Sequence, residues 1–367
     1  MFDSENKVPF RKIATQPLVS ICLPVLNAGR YLDKRLETIF SQTYKNWELI
    51  AVDNFSDDGT WETLQVRAAT EPRLRISRAP RTGMYANWNN SLNLAVGEYV
   101  YIATADDTME PRCLEILVGM AVGQSKPCIA QCGLNLIDDD GAVIERARQW
   151  PRNAEWYATF SKQFETSHYR TAPFDGAMVL LFGTVITSVT QALFPKEAFD
   201  RIGKFPNQFG SAGDMAWEGL AGFYYDTVYT PERLATWRIH ESQATSNPHP
   251  GQATWPDRRV AICNWILEQV ACGDPKLAQK IKGIGLHEFP SFWKQRVQSP
   301  RQESSGAIGR FKDSLALFRN CPKFYRQYLQ HRMRGYRGGS VDRARISQLS
   351  AFLDIDRHLV MANAASV

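Results

Sequence analysis

The sequence has no C-x-x-C pair and no regular cysteine framework. Cys22, Cys113, Cys128, Cys132, Cys263, Cys272 and Cys321 are odd in number and scattered through 367 residues. Neither a disulfide scaffold nor a structural metal is needed, and reduced thiols in a cytoplasmic compartment are expected. Residues 1–16 hold no continuous apolar run, so they read as a loose tail rather than a secretory signal. No G-x-G-x-x-G follows the first apolar segment and no G-x-x-x-x-G-K-[ST] occurs anywhere. A Rossmann dehydrogenase and a P-loop enzyme therefore both lose their support. Residues 176–195 carry no charge, but Gly183, Thr184, Thr187, Ser188, Thr190 and Gln191 interrupt them. They are expected to be a buried strand and helix, not a membrane span.

What is present suits a folded globule long enough for two domains, with 44% hydrophobic and 11% aromatic residues. The net charge of +5 is unevenly placed: residues 280–345 carry 15 Lys or Arg against four acids. An anionic surface or partner is expected for that region alone.

The first hundred residues alternate apolar runs with amphipathic stretches, the pattern of a parallel sheet with crossover helices. Strands are expected at 19–23, 49–52, 74–76 and 99–103. Helices are expected around Leu32 to Phe40, Trp61 to Val66 and Trp88 to Ala95, the last stopped by Gly97. Asp138-Asp139-Asp140-Gly141 between apolar runs reads as a hairpin turn rather than a metal site. From about Pro256 onward, Val260, Cys263, Ile266, Leu267 and Val270 recur at helical spacing. A domain boundary is drawn near 250, at Asn247 to Gly251. The expected organisation is a flexible tail (1–17), a catalytic domain (18–250) and a helical, basic C-terminal region (251–367).

In an open parallel sheet, ligands bind beyond the carboxyl ends of the strands. That rule gathers Pro24-Val25-Leu26-Asn27, Asp53-Asn54 and Thr104-Ala105-Asp106-Asp107 at one edge. Without a glycine-rich loop, a phosphate-bearing ligand calls for a divalent cation on carboxylate oxygen, and Asp106 and Asp107 suit Mg²⁺ or Mn²⁺.

Four ordered motifs then converge: Val19 to Asn27, Ser41-Gln42-Thr43-Tyr44, Trp47 to Thr60, and Gly97-Glu98-Tyr99 ahead of Asp106-Asp107. Together they resemble the family 2 glycosyltransferases of GT-A fold, over residues 18 to 245. The resemblance implies an α/β fold with a mostly parallel sheet, a nucleotide-sugar donor, a divalent metal and inversion at the anomeric carbon. Carried over by position, Pro24, Leu26, Asn27, Asp53, Asn54, Gly83 and Asn89 bind the nucleotide sugar, with Arg81 beside them. Asp106 contacts the metal and the donor, with Asp107 as a second ligand. Arg238, in Thr236-Trp237-Arg238-Ile239-His240, offsets diphosphate charge, and His240 ligates the metal or hydrogen-bonds the leaving phosphate.

Two positions depart from the family pattern. Asn54 stands where a second acid often reads uracil, and its amide admits another base. Thr104-Ala105-Asp106 replaces D-x-D, which removes one potential metal contact. Inversion also needs a base on the acceptor side. Asp214 is the choice, although Gly213 precedes it where the family has Glu. It is equally a residue able to cap a helix starting near Met215. Glu218 and Asp175 are the further candidates.

In the C-terminal region Phe311, Leu315, Phe318, Phe324, Tyr325 and Tyr328 interleave with Arg319, Lys323, Arg326 and Arg332. This suits either the headgroup layer of an anionic membrane or helices packed on the catalytic domain. The expected function is an inverting glycosyltransferase, either free in the cytoplasm or peripheral on the inner face of the membrane. Its donor is a nucleotide sugar, its acceptor a glycan or lipid-linked hydroxyl, and no nucleic acid is involved. A metal-dependent nucleotidyltransferase and a non-catalytic glycan- or membrane-binding protein of the same fold are the alternatives.

Overall fold

The computed structural model describes residues 16–144, 163–241, 243, 254–298, 307–333, 340–353 and 359–361, and side chains 163, 296–298, 307–313, 340–342 and 359–361 fall outside that description. The expected tail up to residue 15 and the boundary at 247–251 lie outside the described residues.

Strand β1 (Val19–Val25) is buried along its whole length. Such a continuous apolar run belongs at the centre of a sheet covered on both faces. Around it stand β2 (Trp47–Asp53), β3 (Leu74–Arg78) and β4 (Tyr99–Ile102), all parallel, with α1 (Leu32–Phe40), α2 (Thr60–Ala68) and α3 (Met84–Leu94) as crossovers. The chain continues through α4 (Cys113–Val122), β5 (Ile129–Ile137), β6 (His168–Arg170), α5 (Phe174–Leu181), β7 (Ala192–Pro195), α6 (Lys196–Ile202), α7 (Gly213–Ala221) and β8 (Thr227–Arg238). Helices α8 (Trp255–Gly273), α9 (Pro275–Ile284), α10 (Phe289–Gln298), α11 (Ala307–Asn320), α12 (Pro322–Met333) and α13 (Ser340–Phe352) follow, then β9 (Leu359–Met361).

Among the described residues the sheet has nine strands in the order β3-β2-β1-β4-β7-β5-β8-β6-β9. β7 runs antiparallel to β4 and β5, and β6 antiparallel to β8 and β9. The carboxyl ends of β1, β2, β4, β5 and β8 therefore share one edge.

Gly97 has a different task from the expected helix stop, since α3 already ends at Leu94. A Cβ at Gly97 would lie 2.5 Å from the Leu18 carbonyl oxygen and 2.7 Å from Ser20 N. Glycine is needed there for β4 to approach β1. The 176–195 stretch forms α5, a short 3₁₀ turn and β7, as expected. Among the described residues no helix is long and apolar enough to cross a membrane.

The C-terminal helices share a core with the sheet domain. Ile262, Cys263, Ile266 and Val270 of α8, with Phe289 and Phe292 of α10, pack against Met178, Leu181 and Ala216 of α5 and α7. Phe324, Tyr325 and Tyr328, expected either at a membrane headgroup layer or against the catalytic domain, are buried in this core. Burying an aromatic such as Phe324 stabilises by about 2–3 kcal/mol, more than the roughly 1 kcal/mol a basic residue gains at an anionic surface. Of the apolar residues in that stretch whose side chains are described, Leu315 and Phe318 remain exposed.

Candidate active site

The loops after β1 and β2 are zipped together. Asn27 adopts φ 50°, a left-handed conformation that asparagine tolerates better than most residues. Its backbone N donates to Ser56 Oγ at 2.8 Å, and its Oδ1 accepts from Asp57 N at 3.1 Å. Gly29 N donates to Asp58 Oδ2 at 2.8 Å, and Ala28 N to Thr60 Oγ1 at 2.8 Å.

Leu26, Asn27 and Gly83, all expected at the nucleotide sugar, are exposed at this edge. Pro24, Asp53 and Asn54 are not; they lie buried just beneath it. Asp53 pairs with Arg78 Nε at 2.9 Å and accepts from Ser56 N at 3.1 Å. Asn54 Nδ2 donates to the Ala79 and Pro80 carbonyls at 2.9 and 3.2 Å, so the amide that was to read a base holds the following loop instead. Arg81 likewise donates to the Asn54 and Phe55 carbonyls. Phe55, which the sequence did not single out, stands half exposed at φ 57° under the Arg78 guanidinium. No residue-type signal marks it, because its exposure depends on the turn it occupies.

Beyond β4 and β8, Asp106 and His240 meet. His240 Nε2 lies 3.0 Å from Asp106 Oδ2, and the Asp106 side chain is part-exposed. Asp107, expected as a second metal ligand, turns inward. Its Oδ1 accepts from Arg238 N at 2.7 Å and its Oδ2 from the Thr104 hydroxyl. Burial, reinforced by the Asp106 charge, pushes its carboxyl up to about 7.

Arg238 differs from expectation in the same way. Its guanidinium is buried and donates to the carbonyls of Asp106 at 2.6 Å, Asp138 at 2.8 Å and Asp139 at 2.9 Å. The charge braces the Asp106 loop rather than facing a diphosphate. The 138–141 segment is a turn, closed by Asp138 N to the Ala142 carbonyl at 2.9 Å. It also reaches the site, because Tyr31 OH donates to Asp139 and Arg30 pairs with Asp139 at 2.5 Å. Tyr31 packs its ring against both His240 and Arg238. Tyr31 and Asp139 are 108 residues apart, so no local pattern announces their contact.

Asp214 occupies the first turn of α7, partly exposed, and its Oδ1 accepts from Met215 N at 2.8 Å and from Tyr85 OH at 2.7 Å. Burial raises its carboxyl above the ordinary aspartate range, against the pull of the Tyr85 hydrogen bond. Glu218, one turn on, is buried and accepts from Thr184 Oγ1 at 2.9 Å; burial and then the Asp214 charge hold it well above the usual range. Asp175 is tied elsewhere, to Arg170 at 2.6 Å and Thr227 Oγ1 at 2.8 Å, which removes it as a base.

Asn89, expected at the nucleotide sugar, instead exchanges two hydrogen bonds with the Phe205 backbone at 2.8 and 3.1 Å, stapling α3 to the loop before α7. Helix α3 begins beyond the carboxyl end of β3, so its first turn, with Tyr85 and hence Asp214, belongs to the same sheet edge as Asp106.

Among the described residues no three His, Cys, Asp or Glu side chains cluster as a metal cage. The Asp106–His240 pair nonetheless fits a divalent cation that keeps phosphate oxygens as its other ligands, since such ions typically take only one or two protein carboxylates.

Comparisons with known proteins agree with this architecture. The chain is 28% identical over 151 residues to the chondroitin synthase of Escherichia coli, 41% of this chain and 22% of that one. It is 34% identical over 101 residues to the glycosyltransferase GlyG of Streptococcus pneumoniae, 27% of this chain and 34% of that one. The chain thus spans well under half the length of these relatives. Among solved structures, residues 1–349 of S. aureus TarS in complex with UDP-GlcNAc superpose with a TM-score of 0.59 at 14% identity, over 90% of both chains. The profile of Glycosyl transferase family 2 matches residues 20–203, just over half of the sequence. With that match across β1 to α6, and the same fold in TarS, the chain belongs to glycosyl transferase family 2.

Proposed function

We propose that this chain is an inverting glycosyltransferase that moves one sugar from a nucleoside diphosphate donor to a hydroxyl of a glycan or lipid-linked acceptor. Residues 18–250 act as the catalytic domain; of 251–367, helices α8 to α13 pack against it and β9 joins its sheet. What supports the reading is that the Asp106–His240 pair lies beyond β4 and β8, while Asp214 is bonded to Tyr85 in the first turn of α3, which follows the carboxyl end of β3, and has its proton affinity raised by desolvation. The named ligand of the TarS complex, UDP-GlcNAc, supports the donor class.

The nucleoside end of the donor lies against Leu26, Asn27 and the exposed face of Phe55, over a floor set by Asp53 and Asn54. Asp106 and His240 would hold Mg²⁺ or Mn²⁺, which when bound offsets charge on the departing diphosphate. Arg238, through its three carbonyl contacts, keeps the Asp106 loop in register with β8. The acceptor oxygen forms a bond to the anomeric carbon as the bond from that carbon to the β-phosphate oxygen breaks. The electron pair of that bond leaves with the nucleoside diphosphate, and the acceptor's proton passes to Asp214. A carboxylate whose proton affinity is raised above the ordinary aspartate range is a better general base than an unperturbed one.

The test is a panel of nucleotide sugars with and without Mn²⁺, read as nucleoside diphosphate release. Asp214→Asn and Asp106→Ala are each expected to reduce transfer at least 10³-fold, on the scale of losing a general base or a charge-stabilising group, while the protein stays folded. Full transfer by both variants, or release of pyrophosphate instead, refutes the proposal.

A further inference from the structure

Position 213, immediately before Asp214, has no room for a side chain. A Cβ on Gly213 would lie 2.7 Å from Cδ2 and Cε2 of the Tyr85 ring and 2.4 Å from the Pro206 carbonyl oxygen. The Tyr85 ring fills the space a side chain at 213 would need, and its hydroxyl ends 2.7 Å from Asp214 Oδ1. The ring is 2% exposed, edge-on to Trp88 at 4.9 Å and tilted against Phe205 at 6.0 Å, with Phe205 itself clamped by Asn89.

We infer that Tyr85 is the positioning residue for Asp214, supplying from α3 the polar contact that the preceding residue of α7 cannot make. The inference rests on Asp214 being the base. The Tyr85 hydroxyl and the Met215 N–H both bond Oδ1, which sets the carboxylate plane and leaves Oδ2 for the acceptor proton.

Donation to the ionised carboxylate also favours its charged form, so the bond holds Asp214 ready as a base against the effect of burial. Among the described residues, the other ionisable groups near this point are Glu218 on the same helix and, interacting with Glu218 through its charge, Asp175 of α5, already paired with Arg170. From α8, Arg258 reaches Ser211 Oγ at 3.3 Å, just ahead of α7.

Tyr85→Phe keeps the ring beside Gly213 and removes only the donor. It is expected to lower kcat about tenfold, leave the donor KM within about twofold, and move the acidic limb of the pH–kcat profile up by about one unit, the worth of one hydrogen bond to a charged group. Site-specific 3-fluorotyrosine at position 85, a stronger donor of nearly the same size, is expected to move that limb down. These readouts are chosen because a merely structural tyrosine would not displace the limb in opposite directions. If Tyr85→Phe does not fold, the fluorinated enzyme carries the test. Wild-type kcat with an unmoved limb in Tyr85→Phe, or an unmoved or raised limb in the fluorinated enzyme, overturns the role of Tyr85 and leaves the base assignment standing. An active Asp214→Asn variant overturns the base assignment itself.

Discussion

Arg238→Lys separates two roles for a buried cation, and the structure sets the size of the effect. The guanidinium reaches two directions at once, with Nε on the Asp106 carbonyl and one terminal nitrogen on the Asp138 and Asp139 carbonyls, while its Cζ lies 4.9 Å from the centre of the Tyr31 ring. A lysine ammonium is a single point and keeps at most one side of this fork. Losing one or two charge-assisted hydrogen bonds to part-buried carbonyls, at about 1.5–3 kcal/mol each, sums with the weakened ring contact to about 2–4 kcal/mol after partial compensation. For a chain of this length an unfolding entropy near 2.1 cal/mol/K per residue makes that about 3–5 °C in melting temperature. The assay is calorimetric melting beside titration calorimetry with a nucleoside diphosphate and Mn²⁺. Melting is expected to fall by this amount, with affinity weakened as a consequence of Asp106 moving. An unchanged melting temperature with sharply weakened nucleotide binding would mean that the guanidinium grips phosphate, and the brace argument would be wrong.

Gly97→Ala drives a methyl into the Leu18 carbonyl and disturbs Ser20 Oγ, which accepts from Gly97 N and donates to Glu48. It is expected to cost about 2–4 kcal/mol in denaturant unfolding, and a change below about 0.5 kcal/mol, the scale of a surface substitution, would show that β1 and β4 part freely. Glu218 is held well above its unfolded-state value, so the native state binds the extra proton. The stability cost is nil below the unfolded value, accumulates as pH rises, and is complete above the folded value. Glu218→Gln should therefore flatten the pH dependence of melting and gain stability over wild type as pH increases; parallel curves would contradict this. Asn54→Asp places a carboxylate against the Ala79 and Pro80 carbonyls and removes their donor. Loosening of the 79–83 loop and weaker nucleotide binding are expected by titration calorimetry; tighter binding would show that residue 54 contacts the base directly.

Strand and helix order up to β4 was readable because each element declares itself locally. Buried parallel strands are apolar throughout, and crossover helices repeat at 3.6 residues. The residue types at the sheet edge follow from the rule that parallel strands end at the ligand crevice, and Asp106 lies beyond the carboxyl end of β4.

What local pattern could not supply is which way a polar side chain faces. Asp106 and Asp107 are chemically identical neighbours, yet one is part-exposed and the other buried against Arg238 N. The difference comes from the end of β8 running against the segment after β4, through the Met109–Ala235 bridge and the Thr108–Thr236 hydrogen bonds, which brings residue 238 to residue 107 across 131 positions. Residue type and motif assign Asn54, Asn89 and Arg238 to the donor, but backbone carbonyls and amides of distant loops claim their donors and acceptors. Residue type and spacing were sufficient to specify the strands, the crossovers and the chemistry available at the crevice. Only the packed structure decided which of those groups remain for a substrate and which hold the protein together, because a hydrogen-bonding group serves whichever partner the fold brings within 3 Å.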